Sequence, residues 1–366
     1  MIIKLHIPSV RVIDRDFNLL AEIDDYESLQ FTRRFYRAGE FELHISLHKQ
    51  GVDQLQKENI IVIDNKMHKA GIIQSRNIGQ NDQGIEVLVI KGPTLGGILD
   101  RRVTVTDNFD RVRGPAETVM KHYVNNHLIN SDNTQRRVPF MSNAPDLGRG
   151  KVTPWQTRFE PLNMVVQEVA EWCDIGWQVR LDYSAKKWVF DVLPGRNLTA
   201  SQNTLPPVIF SRDFDNIMSQ SFTDSDQQFK NVGYAGGQGE YEDRLIQMVG
   251  GGTGADRRET FLDCSSAENA AELVDIGNQK LSLLKSIVSY DGQIINTGSF
   301  IYEVDWDLGD IVTMQSKSWG VTLDSRITEA KEIYEPDSKI EISLGEELPT
   351  ITQIVRKLTT EVKRSD

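Results

Sequence analysis

Two stretches of this chain follow one plan, so any fold it adopts has to make the same small sheet twice. In Val304 to Glu346, Ile311, Thr313 and Gln315 alternate with Val312 and Met314. Val321, Leu323, Ser325 and Ile327 carry a second run, and Ile340, Ile342 and Leu344 a third. Lys317-Ser318 and Pro336-Asp337-Ser338 supply turn chemistry between them, Pro by presetting φ and Asp or Ser by bonding to nearby amides. The pattern predicts a three-strand antiparallel meander. Asn59 to Gly92 repeats its order of apolar runs and polar turns, with Gln74-Ser75-Arg76 standing where Asp324-Ser325-Arg326 stands. A small sheet made twice points to a frame more than to a catalytic centre.

The surroundings divide by period. Residues 1–100 are strand-rich, with candidates at 17–23, 29–36, 41–47, 60–63, 70–78 and 85–90, and they predict a small barrel or sandwich. Near residue 100 the period becomes helical: Pro115 precedes Val119, Met120, Tyr123, Val124 and Leu128. A second helix is expected from Pro161 to Cys173, stopped by Gly176, and then strands 177–181 and 188–193. Asn130 to Thr157 reads as a long surface loop. Beyond Leu205 strands return, and Ser265 with Glu268 suggests a capping box opening a helix to about Lys285. Four regions follow: a first β-barrel at 1–100, an α+β domain at 101–204, a second β-barrel with one helix at 205–345, and a C-terminal helix at 346–366. The expected class is α+β, mainly β, with two similar small barrels. In the last segment Ile351, Val355, Leu358 and Val362 are spaced as a coiled-coil seam, the candidate interaction residues.

Chemical motifs are sparse. All six histidines precede residue 128, without metal-ligand spacing, and read as satisfied surface or core residues. Asp305, Asp307 and Asp310 fit a calcium loop poorly, because Gly309 is out of register, and they read as turn residues. Gly250 to Gly254 lacks the Lys-Ser/Thr of a phosphate cradle, and Gly148-Arg149-Gly150-Lys151 lacks its spacer. Cys173 and Cys264 have no histidine downstream and read as free thiols. No catalytic, metal or cofactor residues are assigned. The net charge of −12 argues against a classical nucleic-acid surface. Arg33-Arg34, Arg101-Arg102, Arg136-Arg137 and Arg257-Arg258 are pairs rather than patches and read as solvated or ion-paired surface. No run approaches the ~18 apolar residues of a membrane span, and no insertion is expected.

Phe31-Thr32-Arg33-Arg34-Phe35-Tyr36-Arg37-Ala38-Gly39-Glu40-Phe41-Glu42-Leu43 resembles the start of the tail-tip (baseplate) hub proteins of long-tailed phages and prophages, the N-terminal hub region of the tail-associated, tail-lysin-like family. Further similarities follow in the same order: Lys91 to Leu95 with Leu99 to Arg102, Ala116 to Val119, Phe210 to Phe214 with Lys230 to Tyr234, Arg258 to Asp263, and Asp307 to Val312 with Asp324 to Ile327. They cover nearly the whole chain. The resemblance implies a homotrimer whose two barrels per subunit make a near-sixfold ring at the end of the tail tube. It implies as partners the distal tail protein ring, the tape measure protein and receptor-binding or fibre proteins, with DNA only as passing cargo. The expected location is the virion tail tip, after assembly in the host cytoplasm. Longer members carry a hydrolase after the hub; this chain stops at Asp366, and no enzymatic role is expected. An alternative reading, a cell-wall or carbohydrate-binding module or a weak glycosidase, would use Trp155, Trp172, Trp177, Trp188 and Glu160.

Overall fold

The run Ile60–Ile63 is apolar at every position, and the computed structural model shows why: all four residues are buried, two on each face of a strand. This strand lies in a four-stranded sheet of Leu19–Ile23, Val10–Ile13, Ile60–Ile63 and Ala70–Ile72, with antiparallel pairing throughout. Ile61 and Ile63 face a core shared with Leu29, Phe31, Leu43 and Ile90. Ile60 and Val62 face a second core, formed with Leu99, Val119, Val166 and Trp177. The structure describes residues 7–80, 84–295, 299–335 and 338–345. The seam Ile351, Val355, Leu358 and Val362 lies outside the described residues.

Two compact units are present, one within residues 1–219 and 292–342, the other within 220–291 and 343–366. The expected boundaries at 100 and 204 therefore fall inside the first unit, where strands from both ends of the chain share one sheet. Val321–Tyr334 pairs with Ser28–Arg34, which pairs with Glu40–Ser46, then Glu86–Pro93, then Ser75–Gln80, each antiparallel. Ile311–Ser316 forms a hairpin with the start of Val321–Tyr334 and takes Ile209–Ser211 in parallel on its other side. Strands dominate, as expected, but no closed barrel is present among the described residues.

Helix α1, Ala116–Val124, begins directly after Pro115, whose missing N–H costs nothing there, and α2 is Leu162–Cys173. Leu162, Val165, Val166, Val169 and Cys173 form the buried stripe of α2. It is not Gly176 that stops α2. Asp174 takes the left-handed conformation at φ 51°, and Gly176 opens the next strand. The strands Gly176–Asp182 and Lys187–Leu193 form the expected hairpin. The expected loop at 130–157 contains two strands: Met141–Asn143 runs parallel to Lys187–Leu193, and Val152–Thr157 pairs with Asp110–Pro115.

In the second unit, Ile246–Gly250, Val232–Gly236 and Glu259–Asp263 make a three-stranded sheet covered on one face by α3, Ala270–Ser282. The cap of α3 is Asn269, whose side chain accepts from the N–H groups of Ala271 and Glu272, rather than Ser265. Glu272 reaches back to the N–H of Glu268, the residue before the cap, so the helix is capped four residues later than the spacing predicts, with a reach-back bond in place of a strict capping box.

Candidate functional site

Along Ser28–Arg34 the inward series is Leu29, Phe31 and then Arg33, so a guanidinium falls where an apolar side chain is expected. Such a charge has to be paired. Arg33 donates to the Tyr302 hydroxyl at 2.9 Å, to Asp307 Oδ1 at 2.7 Å and to Glu303 Oε1 at 3.3 Å. Glu303 also meets Lys66 Nζ at 2.7 Å, His68 Nε2 at 2.7 Å and Lys69 Nζ at 3.0 Å, all from the first turn of the earlier meander. Lys69, 1% exposed, reaches on to Glu332 at 2.7 Å and lies 5.1 Å from the centre of the Tyr302 ring. The Tyr334 hydroxyl donates to Glu332, whose Oε1 has no partner among the described residues. Burial alone would raise the Glu303 pKa, but His68, Lys69 and Lys66 outweigh it and hold the carboxyl well below the usual range. Burial pushes the Tyr302 and Tyr334 hydroxyls up, so both stay neutral, Tyr302 accepting from Arg33 and Tyr334 donating to Glu332. Three cations, Arg33, Lys66 and Lys69, face three carboxylates, Glu303, Asp307 and Glu332. Chemically this is a lock. It fixes the turn of one meander to the strand Val321–Tyr334 of the other and to the turn that precedes that second meander.

A second junction lies at Phe35. Its N–H donates to Thr328 O at 2.9 Å, and its carbonyl accepts from the Trp177 N–H at 3.0 Å. A Cβ on Gly176 would come within 2.3 Å of the Phe35 ring and one on Gly309 within 2.2 Å, so only glycine lets both chains close on it. Arg326 lies over the same ring at 4.9 Å, and its guanidinium donates to Asp174 Oδ2 at 2.6 Å and Gly309 O at 2.5 Å.

The residues singled out by the sequence sort accordingly. Asp307 and Asp310 are turn residues that also hold Arg33 and Arg196, with Asp310 Oδ2 accepting from Arg196 Nη2 at 2.6 Å. His122 and His127 share Asp110, at 2.7 and 3.0 Å, and His44 meets Glu42 at 2.6 Å. Cys173 and Cys264 are buried and form no disulfide among the described residues, and burial pushes the Cys173 thiol up to about 11. Trp177 and Trp188 are core residues, and Trp155 and Trp172 pack against that core. Trp172 donates to Thr153 Oγ1 at 3.1 Å, beneath Lys151. Trp177 and Trp188 therefore give a carbohydrate ring no open platform. The ionic lock has a single trace in the sequence, a charge placed on an inward strand register at Arg33 and Glu332.

In the second unit the sheet face opposite α3 is open. Met248, Tyr234 and Phe261 stand abreast in the strand register, with Ile246 one pair further on. Met248 and Phe261 are about half exposed. Arg244–Asp263 and Arg257–Glu259 pairs border the row, an apolar strip with a polar rim.

The architecture is that of phage tail proteins. A tail protein from Neisseria meningitidis MC58 superposes with a TM-score of 0.59 at 16% identity, covering 93% of this chain and 97% of that one. The 43 kDa tail protein of prophage MuSo2 from Shewanella oneidensis gives 0.59 at 12% identity, covering 92% and 98%. Prophage tail protein gp18 from Listeria monocytogenes EGD-e gives 0.53 at 13%, covering 97% and 99%. Residues 9–346 match the Siphovirus ReqiPepy6 Gp37-like protein family, and the chain belongs to that family. No curated protein sequence matches it.

Proposed function

We propose that this protein is a structural hub of the phage tail tip, a homotrimer whose subunits form a ring that closes or extends the tail tube. The supporting observation is the ionic lock, which makes two similar meanders one rigid frame, as a ring segment needs. Each meander would then supply one of two equivalent positions per subunit, giving near-sixfold symmetry from three chains. In this reading the two sheet systems act as barrel-like modules completed in the ring, and the residues around 100, 204 and 346 bound its functional parts. Ile351, Val355, Leu358 and Val362 would bundle on the threefold axis. The ring would meet the distal tail protein and the tape measure protein above, and receptor-binding or fibre proteins below. The excess of carboxylates would line the channel, repelling DNA so that it slides. The hub is assigned no enzymatic step, and it would assemble in the host cytoplasm. Light scattering on the purified chain tests this: a mass three times the monomer's is expected. A particle that stays monomeric with and without tail-tip partners would overturn it.

A further inference from the structure

One of the arginine pairs that look like ordinary surface in the sequence, Arg101-Arg102, meets a member of another, Arg136, at one cleft. The 3-10 turn Leu95–Arg101 with Arg102 forms one wall, and the turn Thr134–Arg136 forms the other. The cleft has a volume of about 370 Å³ and is lined by Asp100, Arg101, Arg102, Val103, Gln135 and Arg136. Arg101 is saturated, its two terminal nitrogens donating to both oxygens of Glu58 at 2.8 and 3.0 Å. Among the described residues Arg102 and Arg136 have no carboxylate partner. Arg102 donates from Nε to Arg136 O and from Nη1 to Arg101 O, each at 2.9 Å, and Arg136 donates to Val103 O. These backbone bonds hold the guanidiniums in place and leave their charges uncompensated. Burial, with the neighbouring guanidiniums of Arg136 and Arg101, lowers the pKa of Arg102, as expected where like charges crowd without a counter-ion. In a chain of net charge −12 such a cluster is not background.

We propose that this cleft binds the phosphate group of an organic phosphate ester. A guanidinium fork matches a planar carboxylate, and the one nearby, Glu58, is already taken up by Arg101 together with Arg15. Two further arginines, from two different turns, call for an oxyanion with more acceptors and more charge, which a tetrahedral phosphate supplies. The volume exceeds what a bare four-oxygen ion fills and is at the small end of organic-ligand sites, leaving room for the esterified group.

Titration calorimetry on the full chain with glycerol 3-phosphate, inorganic phosphate and acetate tests this. Saturable binding is expected in that order of strength, with acetate weakest. Arg102→Gln and Arg136→Gln should each weaken glycerol 3-phosphate at least about tenfold, the scale of one lost charge-assisted pair. Arg212→Gln, which removes the same charge from an exposed site elsewhere, should leave it unchanged. Tryptophan fluorescence would verify that the variants fold. The proposal is overturned if acetate or inorganic phosphate matches the ester, if folded Arg102→Gln and Arg136→Gln variants bind like the parent, or if no ligand binds saturably.

Discussion

In the first meander the middle strand is broken: Ala70–Ile72 closes the four-stranded sheet, and Ser75–Gln80 runs in the larger one. In the second, Val321–Tyr334 continues unbroken for 14 residues, pairing first with Ile311–Ser316 and then with Ser28–Arg34. The break occurs at Ile73 and Gln74. The Ile73 N–H still donates to Asn59 O, at 2.9 Å, whereas that of Gln74 donates to Lys91 O at 3.0 Å. One similar pattern thus serves two ends. The first copy is stitched by backbone approaching backbone, the second by side chains reaching the first. What the pair teaches is that alternation specifies strands and faces, while partners depend on single residues at the crossing points.

The side-chain half of that contrast is the most sensitive. Lys69→Met removes the buried cation between Glu303 and Glu332, leaving Glu332 buried without it. A loss of about 4 kcal/mol is expected, the cost of breaking a buried pair from one side. Lys69→Met with Glu332→Leu should recover more than half, since two apolar groups replace a pair far better than one charge survives alone. Denaturant titration followed by tryptophan fluorescence measures this for the first unit alone, because all six tryptophans lie in its segments. If the double variant is no better than the single, the lock is not what holds the meanders.

The backbone half is tested at Gly92. A Cβ there would lie 1.8 Å from the carbonyl oxygen of Ile72, and a backbone atom in a sheet cannot give way as a side chain can. Gly92→Ala should therefore cost about 3 kcal/mol in the same titration, the upper range for overpacking. A cost below 1 kcal/mol, roughly a solvent-exposed substitution, would mean that the two sheets do not meet there.

Acid should act on the lock before the stitched crossing. Glu303 has a depressed pKa, and so have Asp110 beside His122 and His127 and Glu117 beside Arg149 and Lys121, each against the opposing effect of burial. For a depressed carboxylate the stabilisation is full above its unfolded pKa of about 4 and is lost as pH falls through the folded value. Unfolding free energy should thus fall steeply below about pH 4. Glu303→Gln should be less stable than the parent at neutral pH and show a shallower acid slope, so the two curves converge on acidification. Parallel curves would remove Glu303 from the account.

How much of this was legible varies with the scale of the feature. Strand and helix positions followed from period, because Phe41, Leu43 and Ile45 or Val165, Val166 and Val169 need no partner's identity to declare a face. The start of α3 was misplaced because Ser265 and Asn269 both precede acidic residues at capping distance, and only the packing of Leu273 on Ala235 and Val249 selects between them. The split of the first middle strand was invisible because it depends on Ile73 entering the core between two sheets. The lock joins residues more than 230 positions apart, such as Lys69 and Glu332 with a separation of 263, and no local pattern carries that pairing. The arginine cleft was hidden in the same way, its walls at 101–102 and 136 being unremarkable singly.

The smallest effect separates the two copies at their matching arginines. Arg76 and Arg326 hold the same place in the repeated pattern, after Gln74-Ser75 and Asp324-Ser325. Arg326 covers Phe35, pairs with Asp174 and donates to Gly309 O, so its loss removes packing and charge-assisted bonds together. Among the described residues Arg76 donates only to Gln56 Oε1, at 2.9 Å, and its buried Nε has no partner. Deleting a side chain that already carries an unsatisfied donor relieves part of what it removes. Arg326→Ala should cost about 2 kcal/mol and Arg76→Ala about 0.5 kcal/mol, at the level of a charged and a marginal hydrogen bond. Equal costs would show that the repeat conserves the use of this arginine as well as its place. The expected difference of about 1.5 kcal/mol would show that the second copy alone uses it, to hold the Phe35 junction.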